Sequence, residues 1–295
     1  MKPEKRQKNK RTVALALGSG GARGLAHIGV INWLQEHNYE IRSISGSSMG
    51  ALIGGIFAAG KLDDYTHWVT ALRKRDVIRL LDFAFSRSGL FSGERIIQTL
   101  KDLVGDTNIE DLPILFTAVA TDLDTEKEVW IKEGPLFDAI RASIATPTVF
   151  TPVRYKGHTL VDGGLLNPIP IGPMVTDFDD ISIAVNLSGK REEGLGKEAK
   201  EEKPQGGYYQ NVIGDFIDML QARFSDQKED KDNVLNVLTR SLECVQNSMA
   251  RFKLAAYSPD YIIDIPANAC SMLEFYRAEE MIKLGYERAA KTLAE

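Results

Sequence analysis

The sequence predicts a three-layer α/β fold, a sheet covered by helices on both faces, and three observations carry that prediction. Short apolar runs of strand length recur at Val13–Leu17, Ile41–Ser45, Ile114–Thr121 and Ile181–Leu187, and they are apolar almost throughout rather than alternating. A strand that is apolar on both sides must be buried on both sides. Between these runs lie longer segments with apolar residues at helical spacing, and the first two strand–helix joints are rich in glycine and serine.

Taken in order, Val13–Leu17 is followed by a glycine loop and a helix over about Arg23–His37, then by the strand Ile41–Ser45. Met49–Ala59 carries Leu52, Ile53, Ile56 and Phe57 at helical spacing, completing a βαβα opening. Two helices are expected between Leu62 and Val104, broken at Ser88–Gly93. Glu128–Ile131 and Thr159–Val161 read as strands, and Pro135–Ile144 as a short helix. Residues 189–207 shift to Lys, Glu and Gly, which reads as a charged loop. Beyond it, Val212–Leu220 and Leu235–Met249 form two amphipathic stripes expected to pack on the sheet or on each other, the rival reading being a lipid-facing or partner-binding helix. Tyr261–Ile265 returns as a strand before a last helix built on Phe275, Ala278, Ile282, Ala289 and Leu293. The organisation is thus a basic tail (1–11), a catalytic core (12–188), the charged loop (189–207) and a helical C-terminal extension (208–295) that returns to the sheet.

The chain has 295 residues, 43% of them hydrophobic and 26% charged, with a net charge of -5, which excludes a disordered chain and gives no electrostatic ground for nucleic-acid binding. Lys2, Lys5, Arg6, Lys8, Lys10 and Arg11 make the first residues basic, either a solvated tail or a contact with anionic lipid headgroups. Cys244 and Cys270 show no metal-ligand or redox spacing, and no export signal or membrane-spanning run is evident; a reducing, cytoplasmic setting is the expectation.

The chemistry concentrates at Gly46-Ser47-Ser48-Met49-Gly50, which has the Gly-x-Ser-x-Gly form of a nucleophile elbow between a strand and a small-residue helix. Ser48 holds the central position. In the α/β-hydrolase order the histidine follows the acid, and the last of the four histidines is His158. A triad of Ser48 with Asp122 or Asp124 and His158 competes with a turn role for His158 in Tyr155–His158. Asp162, ahead of Gly163 and Gly164, is either a second candidate base or an aspartate capping its own turn. The loop Gly18-Ser19-Gly20-Gly21-Ala22-Arg23-Gly24 offers backbone N–H groups to an oxyanion or a phosphate. A dinucleotide fold needs an acidic residue at the end of the second strand; here that place is taken by the elbow.

Together, the glycine loop, the elbow, Arg141-Ala142-Ser143-Ile144-Ala145-Thr146-Pro147 and Asp162-Gly163-Gly164 resemble, in order and separation, the patatin-like phospholipase family, in particular its bacterial members. The likeness covers roughly residues 12–190. It implies a patatin-like sheet, Ser48 as nucleophile and Asp162 as its general base in a Ser-Asp dyad without histidine, and oxyanion N–H groups from Gly20 and Gly21. Gly18, Arg23 and Gly24 support that loop, Gly46 and Gly50 shape the elbow, and Gly163 and Gly164 shape the turn. Ser19 departs from the family by standing where many members have the first glycine of a triple run. The resemblance further implies a fatty-acyl ester substrate, phospholipid or lysophospholipid, and neither cofactor nor metal; a peripheral membrane contact would rest on the basic tail. Leu80–Phe85 with Leu90–Phe91 could line an acyl channel or simply fill the core. The rival reading is a scaffold or regulatory protein that keeps the fold with little turnover.

Overall fold

The computed structural model describes residues 10–80, 91–174, 179–195 and 234–294. Its strands are β1 (Arg11–Leu17), β2 (Tyr39–Ser47), β3 (Leu115–Asp122), β4 (Lys127–Ile131), β5 (Val153–Tyr155), β6 (His158–Asp162), β7 (Ile181–Gly189) and β8 (Tyr261–Pro266). The helices are α1 (Ala26–Glu36), α2 (Met49–Ala58), α3 (Leu62–Thr70), α4 (Lys74–Leu80), α5 (Glu94–Val104), α6 (Leu136–Ser143), α7 (Val234–Tyr257) and α8 (Ala278–Leu293). One sheet runs in the order β5-β6-β3-β2-β1-β7-β8, with β4 also paired to β3. β3, β2, β1, β7 and β8 are parallel to one another, and β4, β5 and β6 form an antiparallel margin.

The two sheet faces differ in side-chain size, and that difference sets the layers. On β1, Val13, Leu15 and Leu17 point into the larger core with α1, α2 and α8, whereas Ala14 and Ala16 point the other way. The alanines let Ile169, Ile171 and Met174, together with Ala250 and Leu254 of α7, approach the second face closely. Helices therefore lie on both sides, as the uniformly apolar strands require.

The C-terminal segment returns to the sheet through β8 and closes the larger face through α8. Its contact with α1 depends on two small residues. A Cβ on Gly29 would lie 1.9 Å from the Ile282 carbonyl oxygen, and one on Gly285 would lie 1.9 Å from that of Ala26. The helices cross at a distance that no side chain at either position allows.

Three expectations change. The first helix begins as a 3-10 turn, Gly21–Leu25, before α1. Among the described residues, three helices, not two, occupy the stretch from Leu62 to Val104. The apolar stripe of α7 is not packed along its length: Leu238 and Val245 are 49% and 50% exposed. Among the described residues, the C-terminal half of α7 reaches the protein body through Ala250, Lys253 and Leu254. The stripe Val212–Leu220, the segment 81–90 and the start of the basic tail lie outside the described residues. Among the described residues, no helix is long and apolar enough to cross a membrane.

Candidate active site

The site arises from a change of partner along one edge of β3. β2 pairs with β3 up to Ser47↔Val119, and β6 pairs with the next residues, beginning at Ala120↔Asp162. β4 pairs with residues 118–122 of β3 and so occupies the opposite edge. β6 therefore takes the edge that β2 leaves. The end of β2 and the end of β6 meet there, and those ends carry Ser48 and Asp162.

Ser48 follows β2 at φ 56, ψ -122, a left-handed backbone that is strained for a residue with a Cβ. The turn closes on glycine at both flanks: a Cβ on Gly46 would meet the Gly50 carbonyl carbon at 2.3 Å, and one on Gly50 would meet the Leu17 carbonyl oxygen at 1.9 Å. A buried hydroxyl holds the strain in place. Ser143, at the end of α6, accepts from the Ser48 N–H at 2.9 Å and donates to the Val119 carbonyl at 2.6 Å. The Ser48 hydroxyl donates to Asp162 Oδ2 at 2.6 Å, and both residues are buried.

The two readings of Asp162 fall on its two oxygens. Oδ1 accepts from the Gly164 N–H at 2.7 Å, the turn cap, while Oδ2 accepts from Ser48. Thr146 also donates to Oδ2, at 2.6 Å. Burial pushes the Asp162 carboxyl above the usual range, and the three donors pull against that shift. Gly163 fits under the turn because a Cβ there would lie 2.1 Å from the Val119 carbonyl oxygen.

Above Ser48, the glycine loop is fixed at its ends and open in its middle. Gly18 and Ser19 donate their N–H groups to the carbonyls of Val185 and Pro168, and Ala22 donates to that of Met272. The N–H groups of Gly20 and Gly21, between them, have no acceptor among the described residues. Arg23 anchors the following turn with bonds to the carbonyls of Leu187 at 3.2 Å and Cys270 at 3.1 Å. Gly24 faces Met49, where a Cβ would come within 2.4 Å of the methionine Cβ. Beneath the loop, buried His27 bonds the Gly18 carbonyl through Nε2 at 2.8 Å, and burial lowers its pKa to about 4. A neutral ring must therefore donate from Nε2, which leaves Nδ1 as a buried acceptor without a partner among the described residues.

Gly21, Ser48 and Thr146 line one cavity of about 830 Å³, counting its open mouth. Its remaining wall is apolar, with Leu52, Trp68 and Val69 from α2 and α3, Leu100 from α5, and Met272 and Phe275 from the C-terminal segment. Leu80 joins that wall, while Phe91 instead packs with Val149 in a small cluster of its own.

His158 does not join Ser48. It opens β6, four residues from Asp162, about 13 Å along the strand. Its Nδ1 lies 2.9 Å from Asp122 Oδ2, and Asp124 accepts from the Thr159 N–H at 2.7 Å. The donor atoms of Asp122, Asp124 and His158 lie within 4.8 Å of one another, a spacing a metal ion could use. Their hydrogen bonds already make them the latch of two hairpins, since Asp122 also accepts from the Asp124 N–H and Thr125 hydroxyl. The histidine triad is thus replaced by a direct serine–aspartate contact. Both cysteines are free thiols, Cys244 exposed and Cys270 buried, the latter pushed up to about 12 by burial.

Sequence reasoning missed Ser143 and Thr146 as individual site residues, and also His27 and Asn167. Asn167 connects the elbow to the turn: its carbonyl accepts from Ser47 Oγ at 2.6 Å and its N–H donates to the Gly163 carbonyl at 2.8 Å. Its side chain donates to Glu128 at 2.6 Å, and Glu128 holds Lys253 of α7. The signal available for His27 was a histidine amid Ala26, Ile28, Val30 and Ile31, on a helix with no exposed face in its first two turns.

The family model for patatin-like phospholipase matches residues 15–175, more than half of the chain. An NTE family protein of Mycobacterium tuberculosis is 38% identical over 95% of this chain and 91% of its own length. The neuropathy target esterase of Drosophila persimilis is 32% identical over 54% of this chain and 12% of its own. A solved structure, VipD from Legionella pneumophila, is similar at a TM-score of 0.49 with 15% identity, over 96% of this chain and 66% of that one. Matched through the loop, elbow and turn and, by the mycobacterial relative, across nearly its whole length, the chain belongs to the patatin-like phospholipase family.

Proposed function

We propose that the protein hydrolyses fatty-acyl esters of phospholipid or lysophospholipid type through a Ser48–Asp162 dyad and an acyl-enzyme. The observation that carries this reading is the 2.6 Å contact between the Ser48 hydroxyl and Asp162 Oδ2 in the wall of an apolar cavity. Serine is a weak nucleophile at neutral pH, and a hydrogen-bonded base within about 2.6 to 3.2 Å is what activates it. Ser48 Oγ attacks the ester carbonyl carbon as its proton passes to Asp162. The carbonyl oxygen becomes an oxyanion facing the unoccupied N–H groups of Gly20 and Gly21, each such donor worth about 10² to 10³ in rate. As the acyl–oxygen bond breaks, Asp162 returns the proton to the leaving alcohol. Water then attacks the acyl-Ser48 carbonyl, gives its proton to Asp162, and the fatty acid departs as Ser48 is reprotonated.

Burial raises the affinity of Asp162 for a proton, which strengthens a base that would be weak in water. The apolar wall suits an acyl chain, since burying one methylene is worth about 0.8 kcal/mol. The test combines labelling by a fluorophosphonate with hydrolysis of acyl esters. The native protein should label and turn over, and Ser48→Ala should do neither. Labelling or turnover retained by Ser48→Ala would remove Ser48 from the mechanism.

A further inference from the structure

We propose that Thr146 is a positioning residue of the dyad, its hydroxyl holding Asp162 Oδ2 against Ser48 in the form that can accept a proton. This rests on the dyad reading above and adds a residue to it. Asp162 is gripped twice by the same short segment: its N–H donates to the Ala145 carbonyl at 3.0 Å, and its Oδ2 accepts from Thr146 Oγ1 at 2.6 Å. Thr146 Oγ1 also lies 3.3 Å from the Ile144 carbonyl, which already accepts from the Thr146 N–H at 2.7 Å. The single hydroxyl proton therefore goes to the carboxylate, the shorter and charge-assisted contact.

Two hydroxyls converging on one carboxylate oxygen have opposite consequences for a base. Each donor fixes the oxygen, and each also lowers its proton affinity. For a carboxylate in solvent the second donor would only weaken the base. Asp162 is wholly buried, and burial alone would favour the protonated form, which cannot accept the serine proton. Thr146 offsets that tendency and, with the Gly164 N–H on the other oxygen, leaves Oδ2 one orientation, toward Ser48. Among the described residues, no charged side chain shares this task. The causes acting on Asp162 are burial, Ser48, Thr146 and Gly164; on its own strand His158 pairs with Asp122, and α2 brings no titratable group.

The measurement is the pH dependence of kcat/KM for an acyl ester in the native protein, Thr146→Val and Thr146→Ser. Loss of a hydrogen bond to an ionised carboxylate moves its pKa by about one to two units. Thr146→Val, which keeps the shape and removes the donor, should shift the acidic limb upward by that amount. Thr146→Ser should restore the limb to within a few tenths of a unit, with folding checked by circular dichroism. An unchanged limb in Thr146→Val, or equal damage in Thr146→Ser, would assign Thr146 to packing alone and overturn the proposal. A ¹³C NMR titration of the Asp162 carboxyl in the native protein and Thr146→Val reads the same shift without turnover. If no ester is hydrolysed but that shift is present, the hydrolase reading fails and the Thr146 role stands; if turnover is present and the shift is absent, the reverse holds.

Discussion

Removing the Ser143 hydroxyl should unsettle the strained elbow more than its distance in sequence suggests. Ser143→Ala deletes a group that accepts from the Ser48 N–H at 2.9 Å and donates to the Val119 carbonyl at 2.6 Å, both inside the protein. Each buried polar group left without a partner costs about 1 to 3 kcal/mol, so two give about 2 to 6 kcal/mol before any relaxation. The left-handed Ser48 backbone adds about 1 to 3 kcal/mol of stored strain that the Ser143 bond helps to retain. A relaxed elbow would recover part of this, which points to a net loss of about 2 to 4 kcal/mol. That is survivable for a domain stable by about 5 to 15 kcal/mol, so the variant should fold. Urea denaturation should show a lowered midpoint with an unchanged slope, and fluorophosphonate labelling should slow by at least tenfold because Ser48 leaves its position. A stability within 0.5 kcal/mol (roughly the spread for surface substitutions) of the native value, with labelling unchanged, would refute the account of how the elbow is held.

The remaining expectations concern pH and the cavity. His27 has a folded pKa of about 4 against 6.5 in the unfolded chain, so the unfolded state binds the extra proton first. Its contribution is intact above the unfolded value and is lost as pH falls from there through the folded one, a loss of about 3 kcal/mol by linkage that His27→Gln should flatten in denaturation curves measured between those limits. Asp162 has the opposite sign: its folded pKa is raised, so its ionisation opposes folding as pH rises past the unfolded carboxylate value. Asp162→Asn should therefore abolish turnover while raising the melting temperature at neutral pH, an advantage that vanishes in acid; a variant no more stable than native at neutral pH would contradict it. Leu52 lines the cavity beside Ser48, and Leu52→Phe should discriminate by chain length. At about 0.8 kcal/mol per methylene, or about fourfold, displacing two methylenes should lower kcat/KM for a long-chain ester by more than tenfold and leave a short one within threefold.

What the sequence disclosed follows the range of the physics involved. Ser48 was legible because an elbow is local: a strand, five residues and a helix specify it. The sheet was legible for a similar reason, since a strand such as β1 must be apolar on both faces wherever it lies between helices. Asp162 was only half legible. An Asp-Gly-Gly turn looks the same whether the carboxylate bonds its own backbone or a distant serine, and in the structure it does both, one oxygen each. Ser143 was legible only as part of the Arg141–Pro147 stretch and not by its own role, because it sits at the end of a helix and its partner is 95 positions away. The α7 stripe was legible as an apolar face, but helical periodicity does not record which partner that face finds, and Leu238 and Val245 stay about half exposed.

The antiparallel margin of the sheet explains how Ser48 comes to meet Asp162 directly. β2 runs parallel to β3 and ends at Ser47, opposite Val119, after which the chain turns away into α2. The vacated edge beyond Val119 can receive another strand in either direction, but only an antiparallel one finishes at Ala120 with its last residue directed toward the end of β2. A parallel strand would begin there and carry its terminal residue away. β6 is antiparallel, and its final residue is Asp162. Register is as strict as direction, because a slip of one residue would turn Asp162 to the opposite face of the sheet and set Val161 or Gly163 beside Ser48. The pairs that prevent the slip are Asp122↔Leu160 in the ladder and the His158–Asp122 contact at the hairpin end. The hairpin latch that excludes His158 from the serine is thus also what holds the aspartate in register with it.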